Sequence, residues 1–384
     1  MLIKWKIVLK ITFLNSLHPA NDKRLFYKEA ISIVNHRHNV TFLGPYCKRF
    51  EERDGVIIKG LGEIRFFNRF WIIIKLFVSA LSEKTDIYQC NEINSWFVGI
   101  IVGKIKRVPV IFDAHEYYPS RLENKIKPFF ERHLSLLIKV IMQMLSLYTD
   151  MVITVSEQLM NKYKFLKCPV DVIHNYSNIQ KSGAIQLNLN EIRKSFPILI
   201  SIGLISIDRG IEIILGGLAI LKKKFPDILY LIIGKNTDNL SQQNRVLSLI
   251  KELQIQDNIK FIDWIDFNMV NSYLTISTIG LILFQISLYN NKIGQPHKFF
   301  DYLNSGLPVI VPKDTTLEKI VYEYRAGVAV DSSNYKSFAN GVEQLLVMVN
   351  NNIINRKNIK NIANEKFSWK NEEEKYIALL ESVI

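Results

Sequence analysis

Two residues of opposite charge lie in one predicted helix of the C-terminal half. Lys298 and Asp301 belong to the segment GQPHKFFDYLNSGLPVIVP, whose apolar residues recur at helical spacing until Gly306, a residue type that commonly ends helices. Short apolar runs at 279–284 and 309–311 predict buried parallel strands on either side. Free backbone N–H groups at the start of a helix in such a unit can hold a phosphate. We therefore predict an anion-binding site at this helix.

A second cation, Arg209, comes directly before Gly210 and a helix predicted from Ile211 to about Lys222. A guanidinium can bind a diphosphate through two parallel hydrogen bonds. As a solvated surface residue it would be slightly unfavourable here, because the helix dipole is positive at this end. The position therefore favours an anion-binding role.

A histidine and an acid follow a predicted strand in the N-terminal half. The strand covers 108–112, and His115 and Glu116 come just after it. Ligands of open α/β sheets bind beyond the carboxyl ends of the strands. His115 is therefore a candidate functional residue, and the alternative is a histidine satisfied by loop backbone.

The turn after the first predicted strand, 6–13, has no glycine-rich fingerprint. Backbone could not approach a pyrophosphate closely there, which argues against a dinucleotide cofactor. The turn instead contains His18, Asp22 and Arg24 in the pattern H-P-x-x-D-x-R. These side chains could face a ligand, or Asp22 could cap the following helix beside solvated neighbours.

The order P-x-K-x-x-[DE]-Y-x-x-x-G-x-P-V-I at residues 296–310 closely resembles the donor-site helix of retaining nucleotide-sugar glycosyltransferases with two Rossmann domains (GT-B). The resemblance is strongest to bacterial polysaccharide enzymes of the family 4-like type, which make capsule and O-antigen. It implies that Asp301 binds the ribose of the donor. The usual pattern is Glu-x7-Glu, whereas this chain has Ile293 at the first acid and the shorter Asp301 at the second.

The resemblance implies roles for further residues. The H-P-x-x-D-x-R turn is similar to the first loop of some capsule and O-antigen enzymes, and the segment at 113–116 matches a region whose histidine approaches the donor sugar. The implied catalytic residues are His115, Arg209 and Lys298. The implied donor-binding residues are Gly203, Arg209, Gly234, Lys235, Trp264, Ile265, Gly294, Gln295, Lys298 and Asp301. The implied acceptor-side residues are His18, Asp22, Arg24 and Glu116.

A chain of 384 residues is long enough for two domains with separate cores. Alternating apolar strands and helices predict an α/β fold, and the resemblance implies two Rossmann-like domains facing each other across a cleft. We expect an acceptor-side domain at 1–180, a linker at 181–197 and a donor-binding domain at 198–366. The last segment, 367–384, is expected to form a helix that returns to the first domain.

The net charge of +13 is unevenly distributed. Residues 1–190 carry 27 Lys and Arg against 16 Asp and Glu, a net charge of +11, whereas residues 191–384 carry 22 against 20, a net charge of +2. This asymmetry suggests that only the first half faces something acidic. The three scattered cysteines fit a reducing compartment and have no metal-ligand spacing.

Two apolar helices with basic residues are candidates for contact with an anionic membrane surface. One covers 64–81 and contains Arg65, Arg69 and Lys75; the other covers 125–148. The alternative is that both are core helices covering the sheet. Neither segment predicts a membrane span, so we expect a cytoplasmic protein, peripheral on the inner face of the cytoplasmic membrane.

Together these features predict a retaining hexosyl- or N-acetylhexosaminyl-transferase. It would move a sugar from a nucleotide-diphosphate sugar to a lipid-linked saccharide acceptor in cell-surface polysaccharide biosynthesis. No Asp-x-Asp metal motif occurs in a suitable loop, so we expect neither a cofactor nor an essential metal, and we expect no nucleic-acid partner. A nucleotide-sugar epimerase of the same fold and a non-catalytic nucleotide-sugar-binding scaffold remain alternatives.

Overall fold

The computed structural model describes residues 8–46, 48–63, 69–121, 123, 127–178 and 192–384. The chain forms two compact units. The first contains the residues up to Asn175 together with Trp369–Ile384, and the second is Tyr176–Ser368. Most of the predicted linker, 181–197, lies outside the described residues. Cys47 and Arg65 also lie outside them.

The first unit is built on an eight-stranded sheet in the order β3-β4-β2-β1-β5-β6-β7-β8. Its neighbouring strands are parallel except for β3, which is antiparallel to β4. The strands are β1 (Lys10–Leu14), β2 (Asn39–Gly44), β3 (Phe50–Arg53), β4 (Val56–Gly60), β5 (Ile87–Cys90), β6 (Val110–Ala114), β7 (Met151–Thr154) and β8 (Val170–Val172).

The hairpin of β3 and β4 was not predicted. Its turn is Asp54-Gly55, and both residues have positive φ, 49° and 78°. Such a pair suits a two-residue hairpin, and an Asp-Gly dipeptide is a recognised sequence signal for one. Strand β3 was not recognised because its sequence, FEER at 50–53, lacks the alternation of apolar and polar residues that is typical of a half-buried strand.

Helices cover the sheet of the first unit. They are α1 (Ile31–Asn35), α2 (Arg69–Ser82), α3 (Ile93–Lys106), α4 (Pro128–Ser146) and α5 (Glu157–Lys162), and a wide helical turn, Leu25–Ala30, leads into α1. Ser156 caps α5 as expected, because its hydroxyl accepts a hydrogen bond from the Leu159 N–H.

The C-terminal helix, Trp369–Ser382, belongs to the first unit. Trp369, Tyr376 and Leu380 are buried in the core of that unit. The Trp369 indole N–H donates to Ser32 Oγ at 2.9 Å, and the Tyr376 hydroxyl donates to Gln89 Oε1 at 2.6 Å. The last helix therefore completes the core that the first strands begin.

Helices α2 and α4 each bury one face and expose another that is also apolar. In α4 only Met142, Leu145 and Ser146 are buried among 19 residues. Helix α3 packs against both α2 and α4, so the three form one layer. We call their outward surface the apolar helical face; it consists of Phe70, Trp71, Ile74 and Val78 on α2 and Phe129, Phe130, Leu136, Leu137, Val140, Ile141 and Met144 on α4, all exposed.

The second unit has a parallel six-stranded sheet in the order β11-β10-β9-β12-β13-β14. Its strands are β9 (Ile198–Ile202), β10 (Leu229–Ile233), β11 (Ile259–Ile262), β12 (Ile279–Leu281), β13 (Val309–Pro312) and β14 (Gly327–Val330). Its helices are α6 (Ile211–Leu221), α7 (Leu240–Glu252), α8 (Phe267–Ile276), α9 (Tyr289–Ile293), α10 (His297–Asn304), α11 (Thr316–Glu323), α12 (Tyr335–Asn350) and α13 (Arg356–Lys366). The C-terminal helix is therefore α14.

Helix α10 is the one that contains Lys298 and Asp301. Phe299, Phe300 and Leu303 bury its apolar side in the core. Beyond its end Gly306 takes φ +71°, and its N–H donates to Leu303 O while the Leu307 N–H donates to Tyr302 O. This pair of bonds is a Schellman motif and confirms the predicted helix end.

Among the described residues, no helix is both long and apolar enough to cross a membrane.

Candidate active site

The order of the second sheet places a crevice between the loops after β9 and β12. Strand order reverses between these neighbours, and loops leaving such a pair diverge to opposite faces. The loop after β9 contains Arg209, and the segment after β12 leads to α10. The two are joined where the Gln285 N–H donates to Asp208 O at 3.1 Å.

A glycine permits this close approach. Gly210 has φ +79°, and a Cβ at that position would lie 2.2 Å from Leu283 O. Any larger residue would therefore push the two loops apart. The glycine predicted beside Arg209 thus brings that arginine to the segment after β12.

Arg209 and Lys298 meet at the ring of Phe284. The Lys298 Nζ lies 5.1 Å from the ring centroid, and the Arg209 Cζ lies 5.4 Å from it. Burial, reinforced by the charge of Arg209, lowers the pKa of Lys298 to about 7. Within the described residues neither cation has a carboxylate partner. The two side chains therefore concentrate positive charge at one point, where they could bind an anion.

Two predicted glycines lie at the ends of β9 and β10. Gly203 has φ +105°, and a Cβ there would have no atom within 4 Å, so its backbone borders open space. Gly234 has φ +143°, and a Cβ there would lie 1.9 Å from Gly203 O. Lys235 follows with an exposed side chain, and its carbonyl accepts the Ile205 N–H. Gly234 is therefore required where these two loops approach each other, and Gly203 is favoured by its positive φ.

The other predicted donor residues differ in exposure. Trp264 is 66% exposed after β11, whereas Ile265 packs against the core. Gly294 and Gln295 precede α10, and Gln295 is buried. The helix starts at Pro296 without a side-chain cap, which leaves its first backbone N–H groups to other partners.

Asp301 is 6% exposed, and its Oδ1 accepts a hydrogen bond from Ser177 Oγ at 2.9 Å. Ser177 itself pairs with the backbone at Ser368 and Phe367. Ser177 therefore holds one oxygen of this carboxylate. The sequence did not point to Ser177, because 124 positions separate the two residues.

The first unit has its own cluster at the corresponding reversal of strand order, between β1 and β5. Glu92, two residues beyond β5, accepts hydrogen bonds from the backbone N–H groups of Ser16, Leu17 and His18 at 2.8, 3.0 and 2.8 Å. This buried carboxylate therefore shapes the loop after β1. Sequence reasoning missed it, although an acid directly after a buried strand was the available signal.

His18 and Asp22 are paired within that loop. The His18 Nδ1 lies 3.2 Å from Asp22 Oδ2, and Asp22 Oδ1 accepts the N–H groups of Arg24 and Leu25. Asp22 therefore does cap the following helical turn, as one interpretation expected. Burial opposes charge on both side chains, but their mutual bond raises the pKa of His18 and lowers that of Asp22 to about 2.

His115 lies beside His18, with ring centroids 5.2 Å apart in an edge-to-face arrangement. Its Nε2 is 2.7 Å from Oδ2 of Asp113, the last but one residue of β6. The side chain of His115 is 19% exposed and that of Asp113 is fully buried. The partner of the His115 ring is therefore a buried carboxylate and not loop backbone.

The prediction that Arg24 faces a ligand is wrong. Its side chain is 1% exposed, and its guanidinium donates to Asp113, to Ile173 O and to Asn175 Oδ1. A cation this deep needs such partners, since burying it unpaired would cost several kcal/mol. Glu116 keeps a partly exposed side chain, with its Oε1 3.1 Å from Arg121 Nε.

The described residues contain no group of three or more His, Cys, Asp or Glu side chains that could hold a metal ion.

Residues 186–366 match the family model described as Glycosyl transferases group 1. No curated protein matches this chain. Among solved structures, sucrose-phosphate synthase from Thermosynechococcus elongatus aligns with a TM-score of 0.77 and 14% identity, over 98% of this chain and 99% of that one.

Two further structures are similar over nearly the full length. Anabaena HepE in complex with UDP-glucose has a TM-score of 0.72 and 14% identity, covering 97% of this chain and all of its own. An E. coli trehalose-6-phosphate protein bound with UDP-2-fluoro glucose has a TM-score of 0.71 and 11% identity, covering 98% and 99%. The chain therefore has the predicted two-domain α/β fold of GT-B glycosyltransferases, and its residues 186–366 are similar to the group 1 glycosyltransferase family.

Proposed function

We propose that this protein is a retaining glycosyltransferase of cell-surface polysaccharide biosynthesis, of the capsule or O-antigen type. It moves a hexosyl or N-acetylhexosaminyl group from a nucleotide-diphosphate sugar to a lipid-linked saccharide acceptor. The group 1 match at 186–366 supports the class of reaction. The structural relatives that hold UDP or UDP-sugars support the class of donor.

The observation that carries the proposal is the pair of cations around Phe284. Arg209 and Lys298 repel each other, which contributes to the pKa of about 7 for Lys298. A diphosphate placed between them would relieve that repulsion and would offer acceptors for both donors. The open backbone at Gly203 leaves room for such a ligand.

The same pair suits the transition state of glycosyl transfer. As the bond from the sugar to the diphosphate breaks, negative charge accumulates on the departing phosphate oxygens, and fixed cations stabilise that charge. The acceptor hydroxyl attacks from the leaving-group face, which retains the anomeric configuration. His115 forms a hydrogen bond with a hydroxyl group of the sugar, and Asp301 binds the ribose.

A membrane-bound acceptor is favoured by the apolar helical face. Eleven large apolar side chains are exposed on these two helices, and exposed apolar surfaces beside polar residues commonly mark membrane or protein contacts. Arg69, Lys75 and Arg132 are exposed on the same helices, and the first half of the chain has a net charge of +11. Aromatic and aliphatic side chains beside basic residues suit the headgroup layer of an anionic bilayer.

The donor site is tested by thermal-shift and calorimetric titration with UDP-, GDP- and dTDP-sugars, since a ligand stabilises the folded protein according to its concentration over Kd. We expect one nucleotide to stabilise the wild type, and Arg209→Ala and Asp301→Ala to lose that response while remaining folded. The matched control is Arg245→Ala, which removes an exposed arginine paired with Glu212 in the same unit. Unchanged binding in both site variants would refute the assignment.

Product analysis separates the alternatives. A transferase forms a glycoside with the α or β configuration of its donor, read by NMR, and needs an acceptor. An epimerase would convert the nucleotide sugar with no acceptor present. Tight nucleotide binding without turnover over a panel of donors and acceptors would instead favour a scaffold.

Membrane attachment is tested by co-sedimentation with anionic and neutral vesicles. We expect anionic vesicles to bind the wild type at low salt, and binding to weaken as salt screens the charges. Leu136→Ser with Met144→Ser should reduce binding, whereas Leu247→Ser with Val347→Ser, equally exposed in the second unit, should not. A wild type that ignores anionic vesicles at low salt would point to a soluble acceptor.

A further inference from the structure

We propose that Asp113 and Arg24 are positioning residues that hold the proton of His115 on Nε2. In this arrangement Nδ1 is the ring nitrogen that meets a ligand, and Glu29, the second acid beside Arg24, takes no part. The inference rests on the proposed function only in so far as His115 acts in glycosyl transfer. Asp113 and Glu29 are both buried beside Arg24, and one guanidinium cannot neutralise two carboxylates.

The contacts of Asp113 decide the position of the proton. Its Oδ2 is 2.7 Å from His115 Nε2 and accepts from Arg24 Nε at 2.9 Å, and its Oδ1 accepts from Arg24 Nη2 at 3.1 Å. Three donors thus converge on one fully buried carboxyl group. An ionised carboxylate only accepts hydrogen bonds, so Nε2 must be the nitrogen that carries hydrogen.

Glu29 has a different environment, although it is equally buried. Its Oε2 accepts one hydrogen bond, from Gln89 Nε2 at 2.7 Å. Its Oε1 lies 2.7 Å from Arg24 Nε, but that N–H is directed to Asp113, and the oxygen accepts no hydrogen bond. An oxygen in that situation is a suitable place for a proton.

The direction of the two pKa values agrees with this geometry. Burial and the neighbouring charge of Asp113 raise the pKa of Glu29 well above its usual range. Burial would do the same to Asp113, but Arg24 and His115 hold the pKa of Asp113 well below its usual range. One ionised acid therefore balances one guanidinium, and the other acid is neutral.

Arg24 is fixed independently of Asp113. Its Nη1 donates to Ile173 O at 2.9 Å and to Asn175 Oδ1 at 3.0 Å. His18 packs edge-on against the His115 ring and is itself held by Asp22. The orientation of His115 is thus set from both sides, and among the described residues no partner is recorded for its Nδ1.

The primary test uses ligand-free protein labelled with ¹⁵N. Two-bond ¹H–¹⁵N correlation spectra distinguish the two imidazole tautomers, and the signals of His115 are identified by their loss in His115→Gln. Recorded from pH 6 to pH 9, the neutral ring should show hydrogen on Nε2 throughout. Hydrogen on Nδ1 in the wild type would overturn the proposal without any substitution at Asp113.

Two buried-acid variants form a matched pair. Asp113→Asn should change the tautomer populations of His115 and lower kcat by about 100-fold, the scale on which mispositioned groups reduce rates. Glu29→Gln replaces a neutral acid by an amide of the same shape, so it should change neither the spectrum nor kcat by more than about twofold. Arg24→Lys cannot form the bidentate contact with Asp113, so its loss of kcat should be smaller than that of Asp113→Asn and larger than that of Glu29→Gln.

These measurements separate the inference from the proposed function. If the tautomer behaves as stated but no glycosyl transfer is found, the proposed function alone fails. If transfer occurs and Glu29→Gln has the larger effect, Glu29 is the ionised partner and the inference is wrong. Arg24, Glu29 and Asp113 all belong to the first unit, so denaturation followed by tryptophan fluorescence in a Trp264→Phe background shows whether that unit is folded in each variant.

Discussion

Lys298 and Arg209 approach the same aromatic ring, with Nζ and Cζ at 5.1 and 5.4 Å from the centroid of Phe284. The ring faces attract both cations, and within the described residues neither cation forms a salt bridge with a carboxylate. A lysine whose pKa is about 7 is only partly charged at neutral pH. Its protonation therefore depends on whether an anion is bound.

We expect UDP binding to be accompanied by proton uptake. A bound diphosphate favours charged Lys298, so at pH 8 close to one proton should enter the protein, whereas at pH 6 the lysine is already charged. Calorimetric titration in buffers with different ionisation enthalpies measures this uptake. Lys298→Arg, which stays charged, should bind UDP with no uptake at pH 8; buffer-independent heat in the wild type would contradict the prediction.

We expect Lys298→Met to stabilise the fold while abolishing donor binding. The pKa is lowered on folding, so the unfolded chain binds more protons above pH 7 and the folded state is least favoured at low pH. The gain in the free energy of unfolding should be on the order of 1–3 kcal/mol at pH 6 and should shrink towards pH 10. Chemical denaturation measures it, with the exposed Lys292→Met as control. Destabilisation at pH 6 would show that the lysine is not under electrostatic strain.

We expect His115→Ala to lower kcat more than donor affinity. Its hydrogen bond orients the sugar for transfer, so we expect it to matter more in the transition state than in the bound donor. Steady-state kinetics with a separate donor Kd distinguishes the two effects. His133→Ala, which removes an exposed histidine of α4, should leave both values unchanged. A donor Kd that rises in step with the loss of rate would make His115 a binding residue only.

His174 should give the first unit a pH-dependent stability. Its ring lies between Glu372 of α14, at 3.0 Å, and Glu157, at 3.1 Å. Burial would lower its pKa, but these carboxylates raise it above the unfolded value. The stabilisation is then fully present below about pH 6.5 and is lost as pH rises through the higher folded pKa.

Replacing His174 by Gln should therefore reduce the fall in stability between pH 6 and pH 8, by on the order of 1 kcal/mol. Denaturation followed by tryptophan fluorescence in a Trp264→Phe background reports on this unit, because Trp264 is the one tryptophan of the second unit. His133→Gln is the control. An unchanged slope in His174→Gln would mean that the two ion pairs contribute nothing to holding α14.

Local patterns predicted the elements of the second unit well. Strands β12 and β13 begin at the predicted residues, 279 and 309, and α10 ends just before the predicted glycine, because the apolar spacing and Gly306 act within a few residues. Strand ends elsewhere differ by a few residues; β1 starts at Lys10 among the described residues.

Partners distant in sequence were not predictable in the same way. Arg24 and Asp113 are 89 positions apart, and Lys298 reaches Phe284 across a loop. A charged residue in a loop looks the same in sequence whether it faces solvent or a buried acid, so Arg24 was misassigned. The exposed apolar side of α4 agrees with the surface interpretation of the segment at 125–148, which the sequence could not separate from a core helix because a helix apolar on both sides resembles one.

The position of α14 has a consequence for biosynthesis. Tyr176–Ser368 is one continuous stretch, so the second unit can fold as soon as it has left the ribosome. The first unit is begun earlier but lacks Trp369, Tyr376 and Leu380 until the whole second unit has been synthesised. Of the two units, the one whose synthesis starts first is therefore completed last, and its incomplete core is exposed while the other unit is made.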